Sequence, residues 1–292
     1  MLYQSEGIVL DQGDFGENDK IARIFTRREG LVRAVVKGAQ RPRSKLRGLT
    51  QPLTYGLFQL YRGRSLDRVT QVSVRNGFPG IIDDYEKMIY ARYLVELLAS
   101  VLPEKERASA MFDLFLAVLG CLEQKEDPWV IARWAELGIL KLAGFAPSFS
   151  RCVSCGSKVQ EPPVHFSLKD GGALCAACMP LGAAFPGSQG ASSAASPAIF
   201  SPAPAGAAMS APSPESQVRA YGELIQVSPG TLRTLEMLST HVASPRVACP
   251  NITARGQVRT EINEVSRKYI SFLLDKRLKS APLVESIEDE KK

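Results

Sequence analysis

Histidine is nearly absent from this 292-residue sequence: His165 and His241 are the only two. Imidazole is the usual base of nucleophilic hydrolase centres, so a Ser/His/Asp or Cys/His set has little to be built from. His165 falls between two cysteine pairs and His241 at a helix end, and neither is placed as a catalytic group. The phosphate-cradling sequences G-x-x-x-x-G-K-[ST] and G-x-G-x-x-G are missing too, which argues against nucleotide hydrolysis by this chain. No apolar run reaches 18 residues, so no spanning helix is expected. The start, MLYQSEGIVLDQGDFGEND, shows no basic stretch followed by an apolar one, and the expected location is therefore the cytoplasm. Asp11, Asp14, Glu17 and Asp19 lie close together but lack the order of a Ca²⁺ loop, and they read as a turn of solvated acids. Asp83-Asp84 reads as a helix N-terminus, where carboxylates complement the helix dipole. These absences point away from an enzyme.

What the sequence does hold is positive charge, unevenly spread. The net charge is +6, yet residues 1–80 carry 14 Lys and Arg against 7 Asp and Glu, and residues 81–292 carry 22 against 23. The excess lies wholly in the first 80 residues, which points to nucleic acid or another acidic partner met at one end of the molecule. It is densest in VVKGAQRPRSKLRG, with Lys37, Arg41, Arg43, Lys45 and Arg47 and no acid among them.

The hydrophobic period divides the chain. Within residues 1–80 the runs SEGIVL, NDKIARIFTRR, LVRAVVKG, TYGLFQLYRG and SLDRVTQVSVRN read as short strands punctuated by glycine. Four or five short strands in 80 residues, with NDKIARIFTRR a strand or a short helical turn, fit a small closed barrel, with an OB-fold as the natural candidate. From Asp83 the period becomes helical: DYEKMIYARYLVELLASVL, residues 109–125, and a third helix with Asp127 as N-cap, Pro128 at its first position and Gly144 past its end. Three amphipathic helices with short connections make a bundle over 81–150. Residues 151–181 hold the cysteine pairs. Residues 171–214 carry no charge, and the Ala/Ser/Pro-rich segment 182–215 reads as a flexible insertion. Helical periodicity resumes at Thr231–Leu238 and Gln257–Leu278, so 216–281 is expected to complete the bundle with helices and 282–292 to form a disordered tail. The fold class is thus multidomain α+β.

Cys152-Val-Ser-Cys155 and Cys175-Ala-Ala-Cys178, 19 residues apart, form the strongest local motif. Each knuckle aims two thiolates at one metal, and two knuckles complete a tetrahedral sulfur shell that suits one zinc ion better than an iron–sulfur cluster. Four protein ligands leave no open position, so the metal is structural. Gly156 eases the first knuckle, and Asp170-Gly171-Gly172 can make the hairpin that returns the second. Cys121 and Cys249 read as bystanders, Cys121 as a small apolar residue in a helix stripe.

Arg62, Arg64 and Arg68 extend the basic stretch into the later strands, and Tyr55, Phe58 and Tyr61 supply aromatic faces. Lys and Arg tracking a phosphate backbone, with rings available for stacking, is what sequence-tolerant binding of single strands requires. Strict alternation puts Phe58 on the side opposite Tyr55 and Tyr61, so not all three rings can stack on bases. A zinc-ribbon module for RNA or transcription is the alternative, and a zinc-dependent nucleic-acid hydrolase would need an open metal position or an acid cluster.

Taken in order, SEGIVL…GENDKIARIFTRREGLVRAVVKGAQRPRSKLRGLTQPLTY, DYEKMIYARYLVELL, RWAELGILKLAGFAPSFSRCVSCG, GGALCAAC and YISFLLDKRLKS resemble the bacterial RecO family. The resemblance spans the chain except for roughly 182–214. It implies an N-terminal OB-fold, a helical bundle and a zinc finger on all four knuckle cysteines. It further implies a recombination mediator, without catalysis, that binds single- and double-stranded DNA, anneals complementary strands and helps load RecA in the RecF pathway. The implied partners are RecR and the C-terminal tail of the single-stranded-DNA-binding protein, with no membrane, and the implied place is the cytoplasm at the nucleoid. Arg267, Lys268 and Arg277 are candidates for gripping that acidic tail.

Overall fold

The computed structural model describes residues 1–104, 106–125, 127–159, 162–178, 223–241 and 249–290. The segment 182–215 lies outside the described residues.

The first five strands are β1 (Leu2–Phe15), β2 (Asp19–Thr26), β3 (Gly30–Val36), β4 (Tyr55–Tyr61) and β5 (Asp67–Asn76). They close into a barrel of order β1-β2-β3-β5-β4, antiparallel except where β5 runs beside β3 in parallel. This is the expected OB-like architecture, and strand alternation builds it. Val32, Ala34 and Val36 of β3 face inward with Ile24, Phe58 and Leu60, while Arg33 faces out. A short helix, α1 (Lys45–Leu49), lies between β3 and β4 and packs Leu46 and Leu49 onto that interior.

The helical region begins with α2 (Pro79–Ile82), α3 (Tyr85–Val101), α4 (Ser109–Gln124) and α5 (Pro128–Leu142). The Asp84 carboxylate accepts from Lys87 N–H at 3.1 Å and caps α3, and Asp127 does the same for α5 through Trp129 N–H at 3.1 Å. Every residue from Pro128 to Leu140 is buried, so α5 is the axis of the helical body. Its polar Arg133 and Glu136 are buried with it and form one cluster with Tyr93 and Glu288.

A small sheet of order β7-β6-β8 follows, made of β6 (Val164–Ser167), β7 (Gly172–Leu174) and β8 (Leu224–Val227). The chain ends in α6 (Pro229–His241), α7 (Gly256–Leu274) and α8 (Ala281–Glu290). Three expectations need correction. Residues 224–227 are a strand, held by pairing to β6 rather than by helical periodicity. Residues 281–290 are a helix rather than a disordered tail, because Val284 and Ile287 reach the core and Glu288 joins Arg133. Cys121 and Cys249 are not bystanders: they form a disulfide across 128 residues, joining α4 to the segment before α7.

Barrel and helices are not separate beads. Ile8, Leu10, Phe25 and Leu31 belong to the same buried cluster as the helices. Phe112 of α4 lies 5.4 Å from the Phe25 ring and 6.3 Å from the Tyr55 ring. Arg27 covers Phe112 and pairs with Glu6 at 3.0 Å and Asp113 at 2.5 Å.

Candidate nucleic-acid interface and metal centre

The basic loop leaves β3 at Val36 and enters α1 at Lys45. The β1–β2 turn beside it sets its shape. The Asp19 carboxylate accepts from Gly38 N–H at 2.8 Å through Oδ1 and from the Lys37 ammonium at 2.6 Å through Oδ2. Lys37 and then Gly38 hold the Asp19 carboxyl below its ordinary 3.8. Gln40 N–H donates to the Asn18 carbonyl at 3.0 Å, and the Gln40 side-chain amide donates to the Asp19 carbonyl at 3.1 Å. Gly38 sits at φ +65°, a conformation that glycine adopts without Cβ strain. Ala39 is buried in the barrel interior and anchors the loop from beneath.

The structure divides the eight predicted DNA-contacting cations. Arg41, Arg43, Lys45 and Arg47 are exposed together where β3 ends, and among the described residues none of them makes an ion pair. Lys37 belongs to the same loop but is committed to Asp19. The Arg62 side chain points away from the loop, pairing with Glu29 of the β2–β3 turn and covering the Tyr3 ring at 4.8 Å. Its backbone stays nearer the loop, since the preceding Tyr61 pairs with Arg68 of β5, which pairs with Val35 of β3. Arg64 is exposed in the β4–β5 connection on the Arg62 side, and Arg68 stands on β5 in register with Val35. Arg33, not among the predicted contacts, is exposed on the outer face of β3 beside Arg23 of β2, and its place follows from the alternation in LVRAVV. The rings divide as alternation requires. Phe58 fills the barrel interior, Tyr55 packs on Phe112, and Tyr61 is half exposed. The acids near the turn are better satisfied than expected: besides Asp19, Asp11 takes the Arg23 guanidinium, with Nε at 2.8 and 2.9 Å from its two oxygens.

The second site is the cysteine cluster. Hairpin β6–β7, closed by Gly171 N–H donating to the Ser167 carbonyl at 3.0 Å, carries Cys175 back beside Cys152, and a 3-10 turn over Ala176–Cys178 places Cys178. The first knuckle closes through Gly156 N–H to the Cys152 carbonyl at 2.8 Å, with Gly156 at φ +73°. The Sγ atoms of Cys152, Cys155, Cys175 and Cys178 lie within 4.8 Å of one another. Cys155 and Cys175 are 3.8 Å apart, matching the separation of about 3.8 Å that a tetrahedron of 2.3 Å Zn–S bonds requires. The Ser157 hydroxyl and N–H pull the Cys155 thiol down to about 6, whereas hydrogen bonding with Cys155 pushes Cys178 up to about 12. The donor set therefore fits one metal ion. His165 lies buried in β6 outside this set, and burial lowers its pKa.

Residues 1–78 match the family described as Recombination protein O N terminal, and residues 82–198 match Recombination protein O C terminal. A DNA repair protein RecO of Symbiobacterium thermophilum is 40% identical over 180 residues, which cover 61% of this chain and 71% of that protein. The chain belongs to the RecO family. A RecO of Desulforamulus reducens aligns over 290 residues at 26% identity, covering 98% of this chain and 95% of that protein. A RecO of Pelotomaculum thermopropionicum is 37% identical over 182 residues, or 62% of this chain and 70% of that one.

In this RecO-family chain the three candidate partner-gripping cations come together in one open groove with the half-exposed Phe272. Each already holds a carboxylate. Arg267 and Arg277 share Glu285, and Lys268 lies 2.7 Å from Glu223 and 2.8 Å from Glu264. Among the described residues no helix is long and apolar enough to cross a membrane.

Proposed function

We propose that this RecO-family chain is a non-enzymatic DNA-binding mediator of repair and recombination. The observation that carries the reading is the set of exposed cations at one end of the barrel that form no ion pair among the described residues: Arg41, Arg43, Lys45 and Arg47, flanked by Arg33 and Arg68. Such a set neutralises phosphates and releases counterions without reading bases, so it accepts single- and double-stranded DNA alike. Neutralising two strands at once removes the repulsion that keeps them apart, which is the physical requirement for annealing. Arg62 and Arg64, in the β4–β5 connection, are candidates for a longer DNA path. RecR, the tail of the single-stranded-DNA-binding protein, and indirect help in loading RecA complete the proposal. An acidic tail would reach Arg267, Lys268 and Arg277 only by displacing Glu285, Glu223 and Glu264. In the cysteine cluster the proposed ion is a single structural zinc, held by four thiolates that fix the two knuckles together.

The test is binding of a labelled single strand across a salt series, paired with an annealing assay on complementary strands. If about four phosphates are neutralised, log K falls with log salt with a slope near −3. Strand cleavage without annealing would overturn the reading.

A further inference from the structure

We propose that Asp19, an acid inside a DNA-binding surface, is a positioning residue that strengthens DNA binding by holding the cationic loop in its bound shape. The inference rests on the DNA-binding reading of that loop. An acid beside phosphates ought to weaken binding, since it adds repulsion and cancels a nearby cation. Asp19 indeed consumes Lys37, whose ammonium is 2.6 Å from Oδ2. Its other oxygen, however, holds the Gly38 N–H at 2.8 Å. That bond fixes the residue at which the chain turns out of β3 with φ +65°.

Everything downstream is built on that turn. The Gly38 carbonyl accepts from Arg41 N–H at 3.1 Å, the Arg41 carbonyl from Ser44 N–H at 3.0 Å, and the Ser44 carbonyl from Arg47 N–H at 3.3 Å. These relays set the backbone at Arg41 and Arg47, the two ends of the free cation group. Gln40 adds two bonds to the same β1–β2 turn, at the Asn18 and Asp19 carbonyls. Four mutually repelling cations on an unheld loop would spread apart and would have to be gathered at each binding event. A loop gathered in advance avoids that ordering cost, which otherwise subtracts from affinity. Lys37 accordingly orients the loop and is not a phosphate contact.

The experiment measures single-strand affinity and its salt dependence for Asp19→Ala, for the charge-balanced pair Asp19→Ala with Lys37→Met, and for Gly38→Ala. Gly38→Ala changes no charge and strains the same turn. All three are expected to bind about tenfold more weakly; the slope of log K against log salt stays unchanged for the charge-balanced pair and for Gly38→Ala, and steepens by no more than about 0.7 for Asp19→Ala, which frees Lys37. Arg41→Gln with Arg43→Gln is the control, and its slope should become shallower by about 1.4. Asp19→Ala binding as tightly as the wild type, or more tightly, would overturn the proposal while a responsive control leaves the DNA-binding reading intact. A control that changes nothing would remove the reading itself. Should Asp19→Ala not fold, as judged by circular dichroism, Gly38→Ala decides alone: undiminished affinity overturns the proposal.

Discussion

The Tyr93 hydroxyl donates a 2.6 Å hydrogen bond to Glu136 Oε1 in the middle of the helical body, one turn along α5 from Arg133. Arg133 lies 3.0 Å from the same oxygen and 3.4 Å from Glu288 of α8, and all three charged residues are buried. Burial pushes the Glu136 carboxyl up, and the Arg133 charge opposes that push. One cation thus serves two carboxylates from two helices. Removing it leaves both without a counter-charge inside the core, a loss that outweighs the desolvation saved. Arg133→Met is expected to lower stability by about 3–5 kcal/mol in equilibrium denaturation. A loss under about 1 kcal/mol would show that the carboxylates are satisfied without it.

The Cys121–Cys249 bond ties α4 to the approach of α7 across 128 residues. Closing so long a loop restricts the unfolded chain, typically by about 2–4 kcal/mol. Oxidised wild-type protein should therefore lose several degrees of melting temperature when reduced by a phosphine. Cys249→Ala should start at the lower value and ignore the reductant. Equal melting temperatures with and without reductant in the wild type would count against the bond.

Elemental analysis should find about one zinc per chain, lost in Cys155→Ser with Cys178→Ser. The metal-free variant should become protease-sensitive around residues 148–178 and keep its single-strand salt slope, since the loop of Arg41–Arg47 belongs to the barrel. A changed slope would tie the metal centre to DNA contact.

Glu96 of α3 ties down the entry to α8, whose N-cap position is held by Ser280. Its carboxylate accepts from Lys279 N–H at 2.8 Å, Ser280 N–H at 2.9 Å and the Ser280 hydroxyl at 2.6 Å. Burial pushes the carboxyl up, but these bonds prevail and hold it below the ordinary 4.5. A carboxylate depressed in the folded state adds stability above its unfolded value, and that stability fades as pH falls through the folded one. Glu96→Gln should cost about 1 kcal/mol at neutral pH, and the gap to wild type should narrow below pH 4.5. A gap that stays constant down to pH 3 would contradict the assignment.

Local signals were legible where local physics decides. Asp127-Pro128 started α5, the alternation around Phe58 sorted the rings, and C-x-x-C spacing located the four thiols that cluster within reach of one metal ion. What escaped depends on partners far away in sequence. Strand Leu224–Val227 exists by pairing with β6, and α8 was hidden because five of its ten residues are acids or serine, which mask Val284 and Ile287. The Cys121–Cys249 pairing spans too much chain for spacing to reveal it. The same limit affected the cations: nothing in VVKGAQRPRSKLRG tells that Lys37 is engaged with Asp19, and nothing near Arg62 reveals Glu29.

Phe112, wedged against Phe25 and Tyr55 and covered by Arg27, has a mechanical consequence. The connection from barrel to helices runs through Phe78 and Ile81, both inside the common core, so it offers no slack joint. Tension applied at the Arg41–Arg47 loop would therefore load the helical body directly, and barrel and helices would swing as one stiff lever.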